Sequence, residues 1–483
     1  MRQTVDFSST RFGLTTQEAP SRTGAVAEDR PFRILVLGNL HGDAKPSALS
    51  SRRAQEIDPD NFDEVLERLA PELEIAVPGA VTRLRFRSID DFHPDSLYRE
   101  ISAFHDSSRD AFVKSHSAGQ QPPPPANPAL PAEPYRPSSG SILDDMLGVK
   151  SGAAAPTPAP ARRPDPFDDV IRSIVAPHLE RAPDAAAQQK AQIGKVWDSA
   201  LMRSILHQPA FQQLEAAWRS LDLFIRRVTT GGEVRLSILD LERAELDTDL
   251  QEEAGESLLR RTFDSFSETY SLCVALYEFG PADCAILERL ANLCARANVP
   301  FLAAARPEMV GQSTFAGLEQ ARNLELAPEL AALRRHPNAS CIGLALPRFL
   351  LRLPWGKNTS PIDAFDFTEM PETPEHDEYL WANGAMAAAI MIAAAFEQGG
   401  WEGLMSSFDP QLDRLPVHTY GPASNPDMTP CAECWMTDEL AVKLIDEGFL
   451  AFASLRRRDA IRLLRLQSIS DRSPRLRAAW AGA

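Results

Sequence analysis

The sequence has no long hydrophobic segment and little cysteine. Its nearest candidate for a membrane span, Ala385–Phe396, is shorter than the roughly 20 apolar residues that cross a bilayer, so we predict a buried helix there. The first 20 residues lack the apolar core of a secretory signal. Six cysteines in 483 residues, without an export signal, indicate reduced thiols in a cytoplasmic protein.

Basic residues are outnumbered by acidic ones. The formal net charge of −17 argues against binding nucleic acid through a broad basic face. One local basic cluster, Arg456–Arg458, is interpreted as the solvated face of a helix. The hydrophobic fraction of 44% and the charged fraction of 24% are typical of a globular protein, and the length predicts two or three domains.

The sequence also lacks a complete phosphate-binding loop. Gly38 and Gly42 follow an apolar strand, but a dinucleotide-binding loop needs a third glycine at a fixed spacing. Gly356 and Lys357 follow Pro354 without the upstream glycine of a P-loop. We interpret both stretches as turns after strands and predict no cofactor site.

Catalytic and metal-binding motifs are equally sparse. The sequence has no G-x-S-x-G and no H-E-x-x-H motif, which leaves His376, Asp377 and His418 as the polar candidates of an unfavoured α/β enzyme alternative. Cys431 and Cys434 form a lone C-x-x-C, with His418 as one possible third metal ligand. A zinc ribbon or finger needs a second pair of ligands at a fixed spacing. We therefore predict no catalytic and no metal site, with a metal or redox role for the two cysteines as the alternative.

The acidic stretch that begins at Asp58 raises the question of a calcium site. An EF-hand loop needs an oxygen ligand at its fifth position and glycine at its sixth, and those positions hold Phe62 and Asp63. Asp60 or Asn61 instead suits a helix N-cap, with acidic residues in the first turn complementing the helix dipole. We expect these acids to begin a helix.

Proline is concentrated in one part of the chain. Residues 118–166 hold 13 of the 39 prolines, and proline both fixes φ and removes a backbone donor. This composition predicts an extended linker. An apolar island at 141–148 interrupts it, with Ile142, Leu143, Met146 and Leu147 at helical spacing. A short helix that docks on a partner and a transient helix in a linker both fit this island.

Apolar patterning on the two sides of the linker predicts a mixed α/β fold. After a tail at 1–30, residues 31–117 form a small α/β unit with a strand at 32–40 and a helix at 60–70. Beyond the linker, residues 167–483 form a larger α/β domain with a helical N-terminal part. Its predicted strands are 234–241, 273–279, 300–305 and 341–346. The fold class is therefore α/β, mixed with α+β character.

Several longer stretches together resemble a known family. Residues 31–105 contain PFRILVLGNLHGD, EIDPDNFDEVLERLAPELEIAVP and LRFRSIDDFHPDSL, and with them resemble the small sheath subunit (TssB) of the bacterial type VI secretion system. Residues 141–467 resemble the large sheath subunit (TssC) through HQPAFQQLEAAWRSLDLFIRR, IGLALPRFLLRLPWGKNTSPIDAFDFTE and HDEYLWANGAMAAA. The order is collinear, and the linker joins what are usually two separate chains.

The resemblance implies a mechanical protein without catalytic residues. In that family the two subunits form a heterodimer that stacks as a helical, phage-tail-like sheath around a tube of Hcp protein. Contraction drives the tube outward, and an AAA+ ATPase dismantles the spent sheath. The implied partners are therefore sheath subunits, the Hcp tube, the baseplate and this ATPase, with no nucleic acid and no membrane insertion.

The family pattern extends further than the stretches matched here. The large subunit normally continues beyond the part that resembles residues 141–467 and supplies strands that neighbouring subunits exchange. The small-subunit half also ends near residue 118, without its usual extension. We therefore expect a compact monomer or small oligomer when the chain is expressed alone. A fused building block of the sheath wall and an accessory adaptor at the baseplate or sheath end both remain as interpretations.

The linker leads to a first prediction. Limited proteolysis of the native protein is expected to cut first between residues 118 and 166, because proline-rich backbone without hydrogen-bonded structure is accessible to proteases. Mass spectrometry of the early products would locate the cut and should find two stable fragments. First cleavage between residues 200 and 350 would contradict the predicted organisation.

Overall fold

The computed structural model describes residues 30–105 apart from 79, the short stretches 109–110 and 113–114, and residues 185–480 apart from 253–256, 266–268, 322, 371–372, 423 and 479. The predicted linker and its island at 141–148 lie outside these residues. The chain divides into two compact units, one formed by residues 1–109 with 195–483 and the other by residues 110–194. The elements below belong to the first unit, apart from the first residues of helix α3.

The strands and helices follow the mixed α/β pattern that the sequence predicts. The strands are β1 (Phe32–Gly38), β2 (Gln55–Ile57), β3 (Glu72–Val77), β4 (Ala80–Arg85), β5 (Val234–Asp240), β6 (Leu272–Phe279), β7 (Phe301–Ala305), β8 (Ile342–Leu346), β9 (Phe349–Leu350), β10 (Trp381–Ala382), β11 (Gln411–Leu412), β12 (His418–Tyr420), β13 (Asp427–Thr429), β14 (Leu450–Ser454) and β15 (Ile461–Leu463). The helices are α1 (Phe62–Leu69), α2 (Pro94–Glu100), α3 (Ala185–Leu206), α4 (Pro209–Arg227), α5 (Arg243–Gln251), α6 (Leu258–Phe263), α7 (Cys284–Ala297), α8 (Phe315–Gln320), α9 (Pro328–Arg334), α10 (Gly384–Gly403) and α11 (Asp438–Asp446).

A nine-stranded sheet forms the centre of the first unit, in the order β11-β15-β14-β8-β7-β6-β1-β5-β2. The strands from β14 to β5 in this order are all parallel, whereas β2, β15 and β11 pair antiparallel at the two ends. Strands β7 and β8 are buried along their whole length. Continuous apolar strands of this kind are expected in a parallel sheet whose two faces are covered.

Strand β1 lies inside this sheet rather than in a sheet of its own. It pairs with β5 from Phe32↔Val234 to Gly38↔Asp240 and with β6 from Ile34↔Leu272 to Leu37↔Ala275. The described parts of residues 31–117 and 167–483, which the sequence predicts to be two domains, therefore share one hydrogen-bonded sheet. The boundaries at 117 and 167 themselves stay predictions, because they lie outside the described residues.

The sheet separates two apolar cores. Side chains alternate between the faces of a strand, so Ile34 and Val36 enter the first core while Leu35 and Leu37 enter the second. The first core also contains apolar residues of α1, α2, α3, α4 and α10. The second contains those of α5, α6, α7, α8, α9 and α11. The nearly complete burial of β1 explains why it needs partners on both faces and both edges.

Helix α10 is apolar nearly all the way round. The Asn383 side chain accepts a hydrogen bond from the Ala385 amide and caps the start of the helix, and a non-helical Gly400 with φ +58° interrupts its end. Nearly all of 384–396 is buried, so the predicted buried helix at Ala385–Phe396 is confirmed. Among the described residues, no helix combines the length and the apolarity that crossing a membrane requires.

The acidic stretch begins a helix, as predicted. A carboxylate oxygen of Asp58 accepts hydrogen bonds of 3.0 Å from the amides of Asp60 and Asn61, and Asn61 occupies the N-cap position of α1. Asp63 and Glu64 lie in the first helical turn. The prediction for Arg456–Arg458 is wrong in one respect. These residues are exposed, but they form the turn between β14 and β15 and not a helix face, because the two strands pair directly.

Candidate functional site: the contact between the two segments

The candidate site is the contact between the N-segment, defined as the described residues of 30–109, and the C-segment, those of 195–480. Both belong to the first compact unit. Strand β1 supplies backbone pairing along one side to β5 and along the other to β6. Side chains beyond the two ends of β1 then determine how tightly the segments are joined.

Polar contacts surround the end of β1. The Leu40 amide donates to a carboxylate oxygen of Asp240 at 2.9 Å, and His41 Nδ1 lies 2.8 Å from the same oxygen. His41 is 4% exposed, so this contact is shielded from water. Gly42 follows with φ +66°, and a Cβ there would lie 2.3 Å from the Glu72 carbonyl oxygen. The predicted turn after the strand is confirmed, and its close approach to Glu72 requires glycine.

Arg52 forms a second polar contact between the segments. Its guanidinium donates two hydrogen bonds to the Glu245 carboxylate, at 2.8 and 2.7 Å, and a third to the Asp240 carbonyl at 2.8 Å. Paired N–H donors of this kind match the geometry of a carboxylate. Burial raises the pKa of Glu245, but the hydrogen bonds from Arg52 and the Glu242 amide, together with the nearby positive charge, lower the pKa below its ordinary value. Glu245 is therefore held as an anion against Arg52.

An aromatic cluster joins helix α4 to the N-segment. Trp218 is fully buried, donates from Nε1 to the Leu40 carbonyl at 3.1 Å, and meets the Phe62 ring edge-on at 5.8 Å. Phe211 packs edge-on against Phe86 and Phe92, with ring centroids 6.1 and 5.8 Å away. The apolar stripe of α4 therefore forms the core between the two segments.

A second apolar contact lies at the start of β1. The Phe32 ring packs against Phe396, Trp401 and Trp480, with centroids 4.9, 5.6 and 6.2 Å away. Trp401 Nε1 also donates to the Arg30 carbonyl at 2.8 Å, and the Arg30 guanidinium lies 4.9 Å from the centre of the Trp401 ring. A cation above an indole ring adds an electrostatic attraction to this packing. Both ends of β1 are thus held by the C-segment.

A buried ionic network supports α4 from within the C-segment. Arg352 donates to Glu215 at 2.9 Å and to the two carboxylate oxygens of Glu369 at 2.8 and 3.0 Å. Both glutamates are fully buried. Burial raises the pKa of Glu369, but the charge of Arg352 and the hydrogen bonds from Arg352 and the other donors lower it more strongly. The pKa of Glu369 therefore falls to about 2. The network holds residues 352–369, which include the predicted Gly356-Lys357 turn, against α4.

That loop returns to the N-segment. The backbone amides of Asp363 and Ala364 donate to the carboxylate of Asp95, at 3.1 and 2.8 Å. Farther along the chain, Arg109 makes two hydrogen bonds of 2.8 and 2.9 Å to the buried Asp198. These residues extend the contact between the segments well beyond the sheet.

The three enzyme candidates contact different partners. His376 Nε2 lies 2.7 Å from a carboxylate oxygen of Glu433, which also binds Arg348. His418 Nδ1 lies 2.7 Å from the Tyr379 hydroxyl. Asp377 contributes its backbone carbonyl to a hydrogen bond with Gln212. The structure does not bring the three side chains into one nucleophile–base arrangement of the kind that covalent catalysis requires.

Cys431 and Cys434 are both buried, on opposite sides of the sheet. Cys431 belongs to the first core and Cys434 to the second. Burial raises the pKa of Cys431 to about 12 and that of Cys434 well above its ordinary value. Such thiols resist the deprotonation that zinc binding and redox chemistry need. In the part of the chain that the structure describes, no group of three or more His, Cys, Asp or Glu residues could hold a metal ion.

The two segments that build the central sheet match two different protein families. The family described as "EvpB/VC_A0108, tail sheath N-terminal domain" (VipB) matches residues 189–470. The family described as "Type VI secretion system, VipA, VC_A0107 or Hcp2" matches residues 20–106. These matches define the class as contractile tail sheath proteins. Since the first match covers more than half of the chain, the protein belongs to the VipB tail sheath family.

Two curated relatives agree with this assignment. The chain is 29% identical over 292 residues to the type VI secretion system sheath protein TssC1 of Pseudomonas aeruginosa, which is 56% of this chain and 59% of that protein. It is 34% identical over 82 residues to the sheath protein TssB1 of the same organism, which is 15% of this chain and 48% of that protein. The chain thus spans about half of each relative's length. It joins a TssB-like and a TssC-like segment in one chain.

Proposed function

We propose that this protein is a non-enzymatic structural component of a type VI contractile apparatus, in which the two kinds of sheath subunit act as one covalently joined unit. The observation that carries this proposal is the position of β1, which pairs with β5 and β6 of the C-segment. A strand from a TssB-like segment is thus an interior strand of the TssC-like sheet. The family membership and the names of the two relatives support the same role.

The mechanical role follows from how the segments are joined. A load applied to the N-segment acts on the parallel hydrogen bonds of β1, on the Arg52–Glu245 pair and on the aromatic cluster around Trp218 at the same time. Many contacts that share a load resist separation better than a small interface between two folded domains. The unit is therefore suited to transmit force between its two segments.

The partners belong to the same proposal. Other sheath subunits, the Hcp tube, the baseplate and the disassembly ATPase are the partners expected for a sheath component, and we place their assembly in the cytoplasm. A building block of the wall and an accessory piece at one end differ in how many copies each particle contains. The number of copies is therefore the quantity to measure.

A test is to tag the chain at its native level of expression, isolate contractile particles and quantify their proteins by mass spectrometry. A wall component is expected at a molar amount comparable to that of the Hcp tube protein. An accessory piece at one end is expected at a few copies per particle. Complete absence from particles that are otherwise intact would contradict the proposed function.

A further inference from the structure

Four exposed arginines lie together at one end of the sheet. Arg456–Arg458 form the turn between β14 and β15, and Arg414 follows edge strand β11. The Leu415 amide donates to the Asp459 carbonyl at 2.8 Å, which fixes Arg414 beside that turn. None of these four guanidinium groups makes an ion pair or hydrogen bond with the residues that the structure describes. They form a local concentration of positive charge on a chain whose net charge is −17.

The same place contains further charged groups, and their balance is positive. Arg227 at the end of α4 donates to the Arg414 carbonyl at 2.9 Å. Burial and then the nearby Arg414 lower the pKa of Arg227, against the opposite effect of Asp413 and Asp459. We call Arg227, Arg414 and Arg456–Arg458 the arginine patch. Its five arginines outnumber the two neighbouring aspartates.

Two arginines of the patch occupy backbone conformations that favour glycine. Arg414 has φ +56° and Arg457 has φ +59°, both in the left-handed region. A side chain with a Cβ is strained there, whereas glycine is not. Arginine at these positions therefore costs the fold some backbone strain, which a glycine substitution would relieve.

The chain itself presents the complementary charge. Asp60, Asp63, Glu64 and Glu67 are all exposed on helix α1 or directly before it. None of these four carboxylates forms an ion pair within the described part of the chain. We call them the acidic face. It lies next to β2, the strand at the other end of the sheet order from β11.

We propose that the arginine patch of one copy binds the acidic face of a second copy of this chain. This proposal rests on the proposed assembly role and names the surface through which copies meet. Four unpaired arginines face four unpaired carboxylates, so opposite charges give both the attraction and the orientation of the contact. Because the two surfaces differ, the contact is head-to-tail. The copy at one end of such an assembly keeps a free arginine patch and the copy at the other end keeps a free acidic face, and further copies can add at both.

Sedimentation velocity of the full chain tests this contact. At about 20 mM salt we expect self-association that rises with protein concentration, and at about 500 mM salt we expect the monomer, because salt screens exposed charges. The charge-reversed variants R456E/R457E/R458E and D63K/E64K/E67K are each expected to remain monomeric at low salt. Mixing the two variants in equal amounts is expected to restore association. The intact arginine patch of D63K/E64K/E67K can then bind the intact acidic face of R456E/R457E/R458E.

A matched control reverses three exposed arginines outside the patch, in the variant R306E/R335E/R472E. It carries the same change in net charge as R456E/R457E/R458E and is expected to associate like the parent chain. A parent that stays monomeric at low salt would overturn the proposal, as would a mixture that fails to associate. Absence from contractile particles, with this self-association intact, would instead overturn the proposed function and leave the contact standing.

Arg457, whose backbone lies in the left-handed region, allows a second measurement that separates the effect on folding from the effect on binding. Arg457→Gly relieves the backbone and is expected to leave the melting temperature unchanged or to raise it by about 1–2 °C. The same change removes one cation, and self-association at low salt is expected to weaken by about two- to five-fold. Association as strong as that of the parent, at an unchanged or higher melting temperature, would overturn the role of Arg457.

Discussion

Replacing Trp218 with alanine is expected to lower the free energy of unfolding by about 3–5 kcal/mol. Trp218 is fully buried, packs edge-on against Phe62 of the N-segment and donates to the Leu40 carbonyl. The substitution removes an aromatic ring from the core between the two segments and leaves that carbonyl without its indole donor. Urea denaturation followed by circular dichroism measures the change.

A matched control lies on the same helix. Gln213 is exposed on α4, and Gln213→Ala is expected to change the free energy of unfolding by less than about 0.5 kcal/mol. Trp218→Phe, which keeps a ring but loses the indole N–H, is expected to fall between the two. A Trp218→Ala protein with unchanged stability that no longer binds its partners would show that the residue serves an interface rather than the core.

Replacing Arg352 with methionine is expected to cost about 3–5 kcal/mol at neutral pH, because a buried carboxylate then loses its counter-charge. Glu369 loses both of its hydrogen bonds to the guanidinium, whereas Glu215 keeps Arg219 at 2.7 Å. The double variant Arg352→Met/Glu369→Gln is expected to be more stable than Arg352→Met alone, since no unpaired charge remains. Equal stabilities of the two variants would contradict this account of the network.

The same pair predicts a dependence on pH. The pKa of Glu369 falls from its ordinary value of 4.5 to about 2 in the folded protein. Its carboxylate therefore stabilises the fold fully above about pH 4.5, and this stabilisation declines as the pH falls toward about 2. In Arg352→Met the buried acid prefers its neutral form, so this variant gains relative stability at low pH. Denaturation at pH 7 and pH 4 should show a smaller difference between parent and variant at pH 4.

Local patterns in the sequence predict several elements but not their partners. The apolar run at 32–40 predicts a strand, and β1 is found there. Its place between β5 and β6 depends on residues about 200 or more positions away, which no local pattern records. The burial of Trp218 follows from a local pattern, because Phe211, Leu214 and Leu221 share its helical stripe.

The polar contacts between the segments were missed for the same reason. Arg52 lies in a polar stretch with no regular spacing, and its partner Glu245 is 193 positions away. His41 and Asp240 are 199 positions apart. Arg456–Arg458 were assigned to a helix because three arginines carry no apolar periodicity that would distinguish a helix face from a turn. In each case the missing information is tertiary.

The central claim is that the N-segment contributes an interior strand to the sheet of the C-segment, so that two sheath-like segments form one mechanical unit. Hydrogen exchange measured on protein cut in the linker tests this claim most directly. We expect the amides of β1 to exchange as slowly as those of β5 and β6 and the two fragments to remain together, because β1 is hydrogen-bonded on both edges. Fast exchange in β1 with slow exchange in β5 and β6, or separation of the fragments after the cut, would contradict it.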